Sequence, residues 1–166
     1  MHSTVLGYVD RFATEEAIEI LDIGGRNVNG TPRELFPNAR YTVLDIRAGA
    51  NVDIVADAAE WIPWAPIWDL VISTECFEHA KNWREIIHTA YKACKPGGRI
   101  VVTCAGPGRP PHSAFVEAEL QPGEYYGNVD PVALRNELQI AGFVDVEVDQ
   151  VELDLQATGR RMKLGA

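Results

Sequence analysis

The chain has 166 residues, one domain's worth, and its apolar fraction of 46% and charged fraction of 23% fit neither a disordered nor a membrane-spanning protein. Its 24 acidic against 15 basic residues leave a net charge of −9, which argues against a broad phosphate-binding face and so against nucleic acid as a partner. Cys76, Cys94 and Cys104 are an odd, widely spaced set with no CxxC pair, which reads as reduced thiols of a cytoplasmic protein and not as zinc ligands or disulfides.

In chain order, the opening "MHSTVLGYVDRF" holds neither a long apolar run nor a basic leader, so no signal peptide or membrane helix is expected there. Residues 18–23 form a short apolar run ending in acid then glycine, which suits a buried parallel strand. Thr31 offers an N-cap and Pro32 the first helical position of a short helix over "PRELF". "RYTVLDI", "VDIVAD" and "WDLVIST" read as the second, third and fourth strands. The segment from Asn82 to Cys94 places Trp83, Ile86, Ile87, Ala90 and Tyr91 at three-and-four spacing, an amphipathic helix. "KPGG" is expected to stop it ahead of a fifth strand, "RIVVTC". Residues 105–128, rich in proline and glycine, form the one long irregular connection. A helix over "DPVALRNELQIAG" closes at Gly142, and "FVDVEVDQVELDLQA" alternates as two strands of an antiparallel edge.

Strands alternating with helices imply a parallel sheet with right-handed crossovers, and such sheets take ligands at the carboxyl ends of their strands. Those ends carry Asp22, Gly24 and Gly25, then Asp45, then Asp57, then Ser73, Thr74 and Glu75. An acid closing the second strand can accept two hydrogen bonds from a ribose diol and would repel a 2′-phosphate. Asp57, beside the amide of Ala58, can accept from an exocyclic amine of adenine. Any one of these aspartates alone is an ordinary turn former. Three at successive strand ends beside a Gly-Gly turn specify an adenosine pocket.

The stretches "ILDIGG", "YTVLDI", "IVADAAE", "WDLVISTECFEHAKNW" and "YKACKPGGRIVVT" resemble the class I S-adenosylmethionine-dependent methyltransferases, over about residues 18–98. The resemblance implies an α/β, Rossmann-like open sheet, mostly parallel with one antiparallel strand in a C-terminal hairpin, and helices on both faces. It implies S-adenosylmethionine as cofactor, leaving S-adenosylhomocysteine. Gly24 and Gly25 would let the backbone approach the methionine end, and Asp22 would organise its amino group. Asp45, with Ile46 beside it, would hold the ribose; Asp57 and Ala58 would read adenine; Thr74 and Glu75 would line the sulfonium side. Three features depart from the usual pattern. Arg26 replaces the second glycine of the spaced-glycine turn, with a side chain able to reach the donor carboxylate or an acidic acceptor. "IRAGANVD" leaves no room for a full helix, and the stretch before the first strand is short.

A nicotinamide-dependent oxidoreductase shares this sheet, and Tyr91 with Lys95 has the Tyr-x-x-x-Lys spacing of short-chain dehydrogenases. That pair needs a helix running on past the lysine, whereas Pro96 ends it here. Tyr91 is therefore expected in the core and Lys95 as a charge facing the helix C-terminus. A methyltransferase-like domain that binds a ligand or partner without turnover is a further alternative, because the family needs few catalytic side chains. The fourth strand lacks the Asn/Asp-Pro-Pro-aromatic run of base N-methylating enzymes, and Cys76 lacks the preceding proline of a cytosine C5 nucleophile. Both absences point to a small-molecule or glycan acceptor.

An alcohol acceptor would use a general base. His79, just after the fourth strand, and His112, in the long connection, are the candidates, with His112 preferred. The connection is read as a substrate lid within a domain of residues 1–166, its Ser113, Tyr125 and Tyr126 against the acceptor and Glu117 and Glu119 adding polar groups. No metal is expected, since Glu78 and His79 are adjacent and would face apart on a helix.

Overall fold

The computed structural model describes residues 3–116 and 118–163, so Glu117 lies outside the described residues. A helix absent from the sequence expectations, α1 (Ser3–Asp10), precedes the first strand and buries Val5, Tyr8 and Val9. The strands are β1 (Glu19–Ile23), β2 (Arg40–Asp45), the two-residue β3 (Ile54–Val55), β4 (Trp68–Thr74), β5 (Cys94–Ala105), β6 (Phe143–Val151) and β7 (Asp154–Arg161). Helices α2 (Trp83–Ala93) and α3 (Pro131–Ala141) complete the order, with single 3-10 turns at Pro32–Leu35 and Phe77–His79. Among the described residues no helix is long and apolar enough to cross a membrane.

All seven strands join one sheet in the order β3-β2-β1-β4-β5-β7-β6. β1 pairs in parallel with both β2 and β4, and β7 pairs antiparallel with both β5 and β6. One strand is therefore reversed, as expected, yet it is not at the rim. β7 sits inside the sheet and runs on to Arg161, and β6 forms the edge. The reason is burial: Leu155, Ala157 and Thr158 are covered on β7, whereas β6 buries little beyond Phe143 and Val148.

Alternation of side chains splits the core over the two faces. Leu21, Ile23, Val71, Ile100 and Val102 face α2 and α3, packing with Ile86, Ile87, Leu134 and Leu138. Ile20, Val43, Ile72 and Val101 face α1 and the first 3-10 turn, packing with Tyr8, Val9 and Phe36. Each fully buried aliphatic side chain contributes about 1.5–3 kcal/mol by leaving water.

Local signals hold where the chemistry is local. Thr31 accepts from the Arg33 amide at 3.3 Å with Pro32 next to it. Asp130 accepts from the Ala133 amide at 2.8 Å, and Gly142 ends α3 in the left-handed region. Three expectations change. "VDIVAD" pairs over two residues only, because Asp53 turns its carboxylate back to the Val43 amide at 2.8 Å. "KPGG" is the start of β5, not a loop before it: Cys94 is already extended and pairs with Trp68, and the pairing slips before resuming at Leu70 and Arg99. Lys95 grips Asp69 at 2.9 and 3.0 Å, and Arg161 from β7 takes the helix-end carbonyls of Tyr91 and Cys94 instead. Tyr91 does pack, edge to face, on Phe143.

Replacing the cap in Asp130→Ala is expected to cost about 1 kcal/mol, read by calorimetry as a Tm about 2–4 °C lower for a domain of this size. An unchanged Tm would show that the cap does not support α3.

Candidate functional site

The strand order reverses between β1 and β4, so the loops leaving them part in opposite directions. A cavity of about 820 Å³ opens there, at the carboxyl ends of the strands. Gly24 opens its floor at φ +76°, donating its amide to Leu44 at 2.8 Å. A Cβ on Gly24 would stand 2.5 Å from the Cys76 sulfur, and one on Gly25 would stand 2.4 Å from the Asp22 carboxyl carbon. Neither position admits a side chain without displacement.

Asp22 is fully buried beneath that turn. Its Oδ2 accepts from the Tyr41 hydroxyl at 2.8 Å, and Oδ1 has no hydrogen-bond partner among the described residues. Burial pushes its carboxyl up to about 7, the nearby Asp45 charge adds to this, and the Tyr41 bond opposes it. Asp45 ties two loops together, Oδ2 accepting from the Arg26 amide at 3.2 Å and Oδ1 from the Arg47 amide at 2.9 Å. Asp57 accepts from the Ala59 amide at 2.9 Å. Asp45, Ile46, Asp57 and Ala58 all line the cavity, and Ile46 is exposed within it. Thr74 and Glu75 line the opposite wall. Glu75 is held at φ +52° with its amide on Thr103, and Oε1 accepts from the Thr103 hydroxyl at 3.0 Å.

β5 runs on to Ala105, and beyond it the long connection has no regular secondary structure among its described residues and closes the third side. Arg109, which no sequence signal singled out, pairs with Glu75 at 3.2 Å and with Asp154. Asn128 donates to the Arg109 carbonyl at 3.1 Å, and the Gly127 amide donates to the Glu78 carbonyl at 2.8 Å. Phe115 reaches over the mouth, with the Arg47 and Arg26 guanidinium carbons 3.2 and 5.6 Å from its ring centre. The Arg26 side chain thus packs on the connection.

Of the residues expected on the acceptor side, His79, His112, Ser113 and Tyr125 line the cavity. Tyr126 does not. Its ring packs edge-on behind the two histidines, centroids 5.5 Å from His79 and 5.1 Å from His112. Burial raises its hydroxyl to about 12. The Ser113 hydroxyl is engaged within the loop, donating to Glu124 at 2.8 Å and accepting from the Phe115 and Val116 amides. His79 is pushed down to about 4 by burial first and then by His112, so its ring is neutral at pH 7.

Glu78 and His79 do not face apart. They sit on a 3-10 turn whose last residue passes into extended backbone at Ala80, and their ligand atoms lie with one of His112 within 4.8 Å of each other. Glu78 is fully buried, and among the described residues neither carboxylate oxygen makes a well-formed hydrogen bond and His79 Nδ1 is also buried without a partner. Burial, then the Glu75 charge, raises the Glu78 carboxyl well above the usual carboxylate range, against the amides of Glu78 and Ala105 and the Arg109 charge. Sequence spacing had no means of showing this convergence, because it depends on a turn three residues long and on a loop more than thirty residues away.

A family model for the methyltransferase domain matches residues 1–148. No curated protein matches the chain. Among solved structures, phosphoethanolamine N-methyltransferase 2 of Haemonchus contortus, in complex with S-adenosyl-L-methionine, is 22% identical at a TM-score of 0.63. The match covers 89% of this chain and 38% of that one, so the chain spans well under half of that enzyme. The 1,6-didemethyltoxoflavin-N1-methyltransferase of Burkholderia thailandensis, with its substrate and S-adenosylhomocysteine bound, is 15% identical at a TM-score of 0.69, covering 96% and 79%. An S-adenosylmethionine-dependent methyltransferase of Mesorhizobium loti is 17% identical at 0.66, covering 92% and 96%.

Asp22→Asn keeps the acceptor for Tyr41 and removes the charge. A carboxyl raised from 3.8 to about 7 costs stability progressively as pH climbs through that window. The unliganded variant is therefore expected to exceed the parent by on the order of 1–4 kcal/mol at pH 8 and to match it near pH 4. Equal Tm values at both pH values would contradict the buried-carboxylate assignment.

Proposed function

The chain belongs to the methyltransferase domain family, and on that footing we propose that it transfers a methyl group from S-adenosylmethionine to a small-molecule acceptor. The observation that carries this reading is the unpaired Oδ1 of Asp22, buried beneath Gly25 at the floor of the cavity. An ammonium group entering over the two glycines meets a carboxylate oxygen that lacks a partner. Asp45 keeps lone pairs for a ribose diol after binding the Arg26 and Arg47 amides. Asp57 and Ala58 stand at the end of the short β3 for the base.

When bound, the donor supplies an electrophilic methyl on a sulfonium, whose departure leaves a neutral thioether. The protein's part is alignment and exclusion of water, which together are worth several kcal/mol. Thr74, Glu75 and Cys76 form the wall on the β4 side, and the connection from 105 to 128 forms the lid, with Phe115 laid across the mouth. The acceptor lies beneath that lid, against His79 and the lid's own His112 and Tyr125. A hydroxyl acceptor must shed a proton, and the groups on this wall that could take it are His112 and, with its basicity lowered by burial, His79. Ser113 serves by holding the lid's turn. Three unpaired cysteines support a cytoplasmic location.

Asp45→Asn weakens one charged acceptor site for the ribose, each such bond being worth about 1.5–3 kcal/mol. S-adenosylhomocysteine should bind the parent chain by calorimetry and raise its Tm, while NAD does neither. The variant should bind the nucleoside roughly 10–150-fold more weakly. Stabilisation by NAD in place of S-adenosylhomocysteine would replace the methyl-transfer reading with an oxidoreductase. Tight nucleoside binding with no transfer to any pooled acceptor would leave a non-catalytic domain.

A further inference from the structure

We propose that Glu78, His79 and His112 hold a divalent transition-metal cation whose open coordination positions face the cavity and take the hydroxyl oxygen of the methyl acceptor. Three observations converge on it. One ligand atom from each residue lies within 4.8 Å of the other two. Donors at about 2.0–2.2 Å from one ion stand about 3.4 Å apart in a tetrahedral arrangement, so each has to move by less than about 1 Å. Among the described residues neither oxygen of the fully buried Glu78 carboxylate makes a well-formed hydrogen bond, although its own amide and that of Ala105 lie near it, and His79 Nδ1 is likewise buried without a partner. Such atoms are rare in a folded protein and need a ligand or another explanation.

The outer shell is in place as well. His112 Nδ1 lies 3.2 Å from the Pro110 carbonyl, and donation there leaves Nε2 with its lone pair free. That is the arrangement by which metal-binding histidines are commonly oriented. Arg109, whose charge acts on Glu78, is itself paired with Glu75 and Asp154. Among the described residues Glu78 makes no ion pair. Two imidazoles with one carboxylate suit Mn²⁺, Fe²⁺, Co²⁺ or Zn²⁺ and do not suit Ca²⁺ or Mg²⁺, which prefer all-oxygen shells.

Placement gives the ion its role. His79 and His112 line the cavity wall and Glu78 lies behind them, so a bound cation has protein on one side and acceptor on the other. The remaining step rests on the methyl-transfer reading. A hydroxyl bound to the cation gives its proton to solvent more readily, as metal-bound water does. The freed oxygen lone pair then forms the bond to the methyl carbon as the carbon–sulfur bond breaks, and the sulfonium becomes a thioether. His79 and His112 act here as ligands, and the ion takes the place of a side-chain base.

The test needs neither donor nor acceptor. The full chain, stripped with a chelator, is titrated with Co²⁺ alone and followed by visible absorption. One equivalent should bind with the bands of cobalt held by nitrogen and oxygen. His112→Ala, at a partly exposed loop position, and Glu78→Gln should each weaken uptake at least tenfold. His88→Ala, a histidine on α2 paired with Glu137, should leave it unchanged. No uptake, uptake indifferent to His112→Ala, or uptake lost in His88→Ala would each overturn the site, whether or not Glu78→Gln folds. S-adenosylhomocysteine affinity in the same samples separates the two readings. Nucleoside binding without cobalt uptake removes the cation alone, and cobalt uptake without nucleoside binding removes methyl transfer.

Discussion

The turn after β1 has to pass over a buried carboxylate and beside a cysteine with no room for a side chain. Asp22 lies under Gly25 and Cys76 lies against Gly24, both at distances that a Cβ would violate. That close approach depends on the strand order, which makes β4 the neighbour of β1 and brings Cys76 alongside. It also fixes the rest of the donor side. With the backbone pressed down onto Asp22, the Arg26 amide comes within reach of Asp45, and the end of β2 is tied to the end of β1. A larger residue at either glycine would lift the turn, break that tie and fill the cavity floor together.

The acceptor side is built on a different principle. Between Gly106 and Asn128 the described residues form no helix or strand, and none of their apolar side chains is buried. Polar contacts hold it instead: Arg109 to the acids at the ends of β4 and β7, Asn128 to the Arg109 carbonyl, Gly127 to the carbonyl of Glu78. Hydrogen bonds of this kind contribute about 1 kcal/mol each, against the larger gain from a packed strand. Such a segment opens at lower free energy than the sheet it covers, which suits a wall that must admit an acceptor and then exclude water.

What was legible in the sequence was what depends on neighbours in the chain. The fourth strand, the α2 stripe, the Thr31 cap and the Gly142 stop are written in consecutive residues, and the structure has them in place. The acids at the strand ends were legible for the same reason, since a strand's last residue marks its own position. Misreadings arose where the deciding partner is distant. "KPGG" looks like a helix stop followed by a loop, yet pairing with Trp68 begins at Cys94 and draws the whole tetrapeptide into β5. Lys95 was assigned to the helix end because Arg161, nearly seventy residues on, was not visible as its competitor. Glu78 and His79 read from the sequence as facing apart on a helix, because nothing in the local residues shows a single 3-10 turn running into extended backbone.

Asp22 and Glu78 share an electrostatic predicament at opposite ends of the cavity's chemistry. Both are fully buried, both have oxygens without a hydrogen-bond partner, and both are pushed well above the carboxylate range by burial. A fold selected for stability alone has little reason to keep either, since an uncharged isostere avoids the desolvation cost. Each becomes favourable when a cation arrives: an ammonium over the glycines for Asp22, a metal between the two histidines for Glu78. The same burial that penalises the empty protein strengthens those contacts once they form, because few water molecules remain to screen them. On the proposed reading, the two acids mark where the structure is arranged for a ligand's charge and not for its own stability, one on the donor side and one on the acceptor side of the methyl's path.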